Sequence, residues 1–193
     1  MERICSSISE PGTLRVVLIV SSTERTAGKV VTADGISLFR RVRVRAEDDR
    51  WTAEVSVSYD EELGRMVAER LEVRGIGAPV TPELLRKVPL KRLVAHGAFR
   101  AAGADLFGDP TSAAYLVGRV LGVDPVEIAA KGPTDEALRI TAAVYRIAYL
   151  AGLRPTNVVA AAMKIPRSTA GRWVMTARRR GFLAPTTRGK ARA

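Results

Sequence analysis

No side-chain carboxylate follows Glu136 in this 193-residue chain. Other residue types are scarce as well. There is one cysteine, Cys5, and one histidine, His96. A single thiol excludes an internal disulfide framework, and one Cys with one His cannot complete a zinc finger or zinc ribbon within the chain. No apolar run reaches membrane-spanning length; Val16–Val20, the longest near the start, is strand-sized. Glu2 and Arg3 are followed by Ser6, Ser7 and Ser9 rather than by an apolar segment, so the start does not read as a signal peptide. Aromatic residues make up only 5%, few for stacking unpaired bases, which weighs against single-stranded RNA as a ligand. The acids of residues 1–133 are scattered and form no nucleophile–base pair or metal-binding carboxylate cluster. Together these absences predict a soluble, cytoplasmic protein that is not an enzyme. They predict no metal, no cofactor and no membrane partner.

Charge is abundant by contrast, and it is segregated. The net charge is +11, from 31 basic and 20 acidic residues. Residues 1–133 hold 19 Lys and Arg against 18 Asp and Glu, a net of +1, while residues 134–193 hold 12 against 2, a net of +10. Such asymmetry points to a polyanionic partner, either nucleic acid or an anionic membrane surface. Arginines outnumber lysines by 25 to 6. The planar guanidinium fork suits phosphates and guanine edges.

The amino-terminal part reads as β. Thr13–Val20 (TLRVVLIV) is a β-branched run. Ser37–Glu47 alternates, with Val42 and Val44 on one face and Arg41, Arg43 and Arg45 on the other. Trp51–Tyr59 alternates too, and Glu69–Gly75 is a weaker fourth strand. Turn signals at Ala33-Asp34-Gly35, Glu47-Asp48-Asp49 and Gly75-Ile76-Gly77 separate them. The arginines of the second strand are expected on a solvated face balanced by nearby acids. Thr81 and Pro82 open a helix whose Leu84, Leu85 and Val88 form an apolar stripe expected to pack on the sheet. Lys91–Ala101 continues as helix, with His96 read as a surface or packing residue. Ala101–Ala113 reads as a hinge, Ser112–Leu121 as a short helix, and Val123–Pro133 as a breaker-rich connection. The expected organisation is an α+β chain. A β-rich domain over 1–100 is a candidate for homodimerisation or partner binding. A connector covers 101–132, and a helical domain with a basic tail covers 133–193.

That last part carries the most information. Thr134 caps a helix that Gly152 stops, and its apolar positions cover most sides, as in a small bundle. A second helix begins near Thr156, after Pro155. Lys164-Ile165-Pro166 forms a turn, and a third helix runs from Arg167 to Arg180, closed by Gly181. The stretch Thr156–Met175 resembles the helix-turn-helix family of bacterial DNA-binding proteins. Ala160 or Ala161 matches the small position where the helices cross. Met163 and Ile165 match the apolar positions beside the turn, and Ala170 and Trp173 the inward positions of the recognition helix. One departure is Lys164, where the family has a left-handed glycine; a side chain there costs about 1–2 kcal/mol. Either the turn is distorted or the match is displaced. Ser168-Thr169-Ala170, Trp173-Val174 and Ala177-Arg178 with Gly181 also resemble small helix-turn-helix proteins of high-GC, actinobacterial type.

The resemblance implies double-stranded DNA as the partner. With Ala170 and Trp173 inward, Arg167, Ser168, Gly171, Arg172 and Met175 face or flank the groove. Arginine can bind guanine O6 and N7 together, and Gly171 removes bulk where the helix approaches. Thr156, Asn157, Lys164, Arg178, Arg179, Arg180, Arg188 and Lys190, with Arg192, are expected on phosphates. Phe182–Ala193 either folds back with a rudimentary wing or trails as a basic tail. The expected function is sequence-specific DNA binding by a nucleoid-associated transcriptional regulator. The alternatives are a DNA-binding adaptor in segregation, packaging or replication, or the targeting module of a mobile-element recombinase.

Overall fold

The computed structural model describes residues 19–25, 28–31, 37–102 and 122–184. Within these residues the chain is α+β, with an antiparallel sheet followed by helices. The strands are β1 (Ile19–Arg25), β2 (Lys29–Val31), β3 (Ser37–Phe39), β4 (Arg41–Glu47), β5 (Trp51–Asp60) and β6 (Arg65–Gly75). The main sheet has the order β1-β4-β5-β6, and β2 and β3 form a separate two-stranded ladder.

Alternation in β4 and β5 decides which face is buried. Val42, Val44, Ala46, Ala53, Val55 and Val57 are all buried, while Arg41 and Arg45 of β4 are exposed on the opposite face. The turn after β4 is held by Asp48, whose Oδ1 accepts from the Arg50 N–H at 2.8 Å. The β5–β6 turn is closed by Gly64 at φ 63°, and Asp60 Oδ1 accepts from the Leu63 N–H at 2.8 Å.

Helix α1 is Pro82–Lys87, and its N-cap Thr81 accepts from the Leu84 N–H at 3.2 Å. Helix α2, Leu90–Ala101, covers the apolar sheet face with Leu93, Ala95, Ala98 and Phe99. Its Gly97 permits the approach: a Cβ there stands 2.9 Å from Val57 Cγ2 and 3.2 Å from Val44 Cγ2. Helix α3 is Pro125–Ala130, and the bundle helices are α4 (Asp135–Leu150), α5 (Pro155–Ala162) and α6 (Arg167–Arg179).

Several details differ from the reading of the sequence. Ser37–Glu47 is not one strand. It breaks at Arg40, whose backbone N–H turns to the Gly28 carbonyl at 2.9 Å, so β3 pairs with β2 instead of joining β4. The weak fourth strand is the longest of the six, extended backwards to Arg65 by pairing with β5. Helix α1 is too short to bury its whole stripe: Val88 is buried, Leu84 half-buried, and Leu85 is 45% exposed. The connection at 123–133 contains helix α3, capped by Asp124, whose Oδ1 accepts from the Val126 N–H at 2.8 Å. The start of the first expected strand, the turn at 33–35, most of the hinge and the helix at 112–121 lie outside the described residues.

Two apolar cores result. The first lies between the sheet and α2; the second is shared by α3, α4, α5 and α6. Helix α4 touches both. Leu138, Val144 and Tyr145 enter the second core, while Leu150 and the following Ala151 enter the first. Near the same end, the Tyr149 hydroxyl donates to the Leu63 carbonyl at 3.0 Å.

Candidate nucleic-acid interface

The candidate interface is built on the second core. Thr134 caps α4 by accepting from the Ala137 N–H at 3.2 Å. Gly152, at φ 66°, ends the helix and turns the chain toward α5. Helix α5 buries Val159 and Ala162, with Ala160 half-buried and Ala161 exposed. Of the two candidates for the close crossing, Ala160 is therefore the one that faces the neighbouring helices.

The turn from Met163 to Pro166 carries Lys164. Among the described residues, Lys164 alone has a positive φ without being glycine, at 50°. That is the left-handed region, so the backbone accepts the cost of a side chain there. The turn is closed by the Ile165 N–H donating to the Ala160 carbonyl at 3.0 Å. Met163 is buried at its start and Ile165 packs half-buried beyond it. The Lys164 side chain stands in solvent.

Helix α6 presents two opposed faces. Ala170, Trp173, Val174 and Ala177 are buried, with Trp173 7% exposed in the core shared with α4 and α5. Ser168, Arg172, Met175 and Arg179 recur at helical spacing and are all exposed. Met175 is 66% exposed, the highest value among the large apolar side chains described. Arg167 is exposed at the start of the helix. Two threonines support the outward arginines: Thr169 Oγ1 accepts from Arg172 Nη2 at 3.4 Å, and Thr176 Oγ1 from Arg179 Nη2 at 3.2 Å. Gly171 is half-buried, yet a Cβ added there meets nothing within 4 Å. Packing among the described residues does not require this glycine, although a mid-helix glycine costs about 1 kcal/mol against alanine.

The three consecutive arginines at the helix end are not equivalent. Arg179 shares the outward stripe. Arg178 lies with its guanidinium 4.9 Å from the centre of the Tyr145 ring and donates to the Ala184 carbonyl. Arg180 pairs with Asp135 at the start of α4, both side chains being more than half exposed. Two arginines of α4, which sequence reasoning passed over, hold the same segment as Arg178. Arg146 donates to the Phe182 carbonyl at 2.5 Å, and the Arg139 guanidinium lies 5.2 Å from the Phe182 ring centre. With Leu183 buried, residues 182–184 fold back on the bundle. The rest of the tail, with Arg188, Lys190 and Arg192, lies outside the described residues.

Thr156 and Asn157 are half-buried in the first turn of α5, and Arg154 stands exposed immediately before it. Arg154 was also missed in the sequence. Its signal is a cation placed one residue ahead of the helix-opening Pro155. Arg154, Lys164, Arg167, Arg172 and Arg179 are thus all exposed on or beside α5 and α6. Among the described residues no carboxylate pairs with Arg167, Arg172 or Arg179. Chemically the arrangement offers guanidinium forks, a hydroxyl and a methyl-bearing thioether on one ridge. Comparison with protein-family models, curated proteins and solved structures finds no match to this chain.

Proposed function

We propose that the protein is a sequence-specific double-stranded DNA-binding protein of helix-turn-helix type, acting as a transcriptional regulator on cytoplasmic, nucleoid DNA. The observation that carries this reading is the outward ridge of α6. Four residues at one helical spacing, Ser168, Arg172, Met175 and Arg179, lie opposite a buried face, on a helix introduced by a left-handed turn at Lys164. An α-helix of this kind fits the major groove. Arg172 takes a guanine edge and Ser168 a base or phosphate. Met175 takes the thymine methyl, and Gly171 leaves room for the groove wall. Arg167 flanks these readers. Thr156, Asn157, Arg154, Lys164 and Arg179 meet phosphates on either side. Arg178 and Arg180 serve the helix packing first, through Tyr145, Ala184 and Asp135.

The test is selection of bound sequences from random duplex DNA with the full chain. Enrichment of a defined motif containing a guanine is the expected result. Recovery of unenriched sequence, with affinity set by salt alone, overturns the assignment of α6 as a reader.

A further inference from the structure

We propose that the free edge of β6 is a self-association surface, where a second copy of this chain pairs antiparallel about a two-fold axis through Leu71. The proposal does not depend on DNA binding.

Strand β6 is an edge strand eleven residues long, and among the described residues no strand pairs with its outer side. A long open edge presents unpaired backbone groups to any strand that fits. Two features of this edge specify what fits. The first is apolar. Leu71 lies opposite Val55, on the sheet face that α2 covers, yet it is 38% exposed, whereas Val55 is fully buried. Ala68, opposite buried Val57 on the same face, is exposed as well. The apolar face therefore runs past the cover of α2 and ends unfinished at the edge.

The second feature is charge. Arg70 and Glu72 flank Leu71 on the polar face and pair with each other at 2.7 Å. Glu72 also lies directly across from Glu54, a like-charge cross-strand pair. A two-fold axis through Leu71 places Leu71 against Leu71 of the second copy. It places each Arg70 against the other chain's Glu72. Both charge pairs are then satisfied between chains as well as within each chain. Neighbouring registers fail. An axis through Arg70 sets arginine against arginine, and one through Glu72 sets carboxylate against carboxylate. An axis through Val73 keeps opposite charges together but pairs only residues 71–75. The β5–β6 register shifts beside Arg70, leaving Glu69 without a β5 partner, so this irregularity lies outside the three central pairs. The edge is self-complementary in one register, as an isologous two-fold interface requires.

The test is sedimentation of the full chain without DNA, using charge reversals at exposed positions that leave the fold intact by circular dichroism. Wild type is expected to be dimeric at micromolar concentration. Arg70→Glu and Glu72→Arg should each weaken the dimer at least about tenfold, because each sets like charges opposite one another. Mixing the two variants should restore a dimer, since each chain then supplies the charge that the other lacks. A wild-type chain that stays monomeric at about 100 µM, or variants that dimerise as well alone as when mixed, overturns the proposal. A cross-link fixes the register. Self-paired residues have Cα atoms about 4.5–5.5 Å apart, within disulfide reach. Leu71→Cys in a Cys5→Ser background should therefore oxidise to a covalent dimer, and Glu69→Cys should not. Preferential cross-linking at position 69 rejects the axis through Leu71.

Discussion

The outer face of the sheet and the outer face of α6 both carry closely spaced arginines, and they differ in what stands beside them. On the sheet, Arg43 and Arg45 both pair with Glu54, at 3.1 and 2.6 Å. Arg41 pairs with Glu69 at 2.9 Å, and Arg40 with Glu61 at 2.6 Å. Arg45, with Arg43 and Arg70 nearby, holds the Glu54 carboxyl below its usual range. On α6, Arg172 and Arg179 are met by threonine hydroxyls, which orient a guanidinium without cancelling its charge. The number of arginines is therefore a poor guide to a polyanion site. The carboxylates decide it: the sheet face is close to neutral and self-satisfied, while α6 keeps its charge available to a ligand.

The comparison is sharpened most by removing the side chain that fixes the orientation of α6. Trp173→Ala should destabilise the helical core by about 3–5 kcal/mol, as large-to-small core changes do. Thermal unfolding followed by near-ultraviolet circular dichroism checks this. An unchanged melting temperature together with lost binding rotates the tryptophan onto the ligand face. The core between the sheet and α2 should instead be sensitive to acid. Burial, aided by Arg100, pushes the His96 imidazole down to about 4 from its usual 6.5. The folded chain holds His96 neutral where the unfolded chain takes up a proton. Its contribution is thus complete above pH 6.5 and is lost as pH falls toward 4. The loss is about 2 kcal/mol, smaller than the full shift implies because His96 is only partly buried. His96→Gln should flatten this part of the stability–pH curve, and an unaltered curve assigns the acid response to other groups.

Within α6, adjacent arginines should separate by what they change. Arg178→Ala should lower stability by about 1–2 kcal/mol through the lost contacts with Tyr145 and Ala184. Arg179→Ala should leave stability unchanged and reduce the salt dependence of duplex binding by about one unit. Indistinguishable melting curves for the two variants contradict the division. Smallest in stability terms is Gly171→Ala. It should stabilise the helix by up to about 1 kcal/mol, since no described residue opposes a Cβ there. It should nonetheless weaken duplex binding. Unchanged or tighter binding removes the case that this glycine makes room for a groove.

Much of this was legible in the sequence because it is local. The alternation of Val42 and Val44 with Arg41, Arg43 and Arg45 needs only a period of two, and Ala170, Trp173 and Ala177 only helical spacing. What escaped is set by distant partners. The break at Arg40 depends on the Gly28 carbonyl. The extra residues at the start of β6 depend on β5. The role of Arg178 depends on Tyr145, a helix away. Helix α3 is an instructive exception: its Asp124-Pro125 start is a local capping signal, outweighed by the surrounding glycines and prolines.

The central claim is that the outward face of α6 reads base sequence while the sheet arginines do not. It is tested most directly by titrating wild type, Arg172→Ala and Arg45→Ala against the selected duplex and against random duplex at one salt concentration. Arg172→Ala should lose about 1–3 kcal/mol on the selected duplex and much less on random DNA, while Arg45→Ala should match wild type on both. Equal losses for Arg172→Ala on the two duplexes, or a loss of selectivity in Arg45→Ala, would contradict the account.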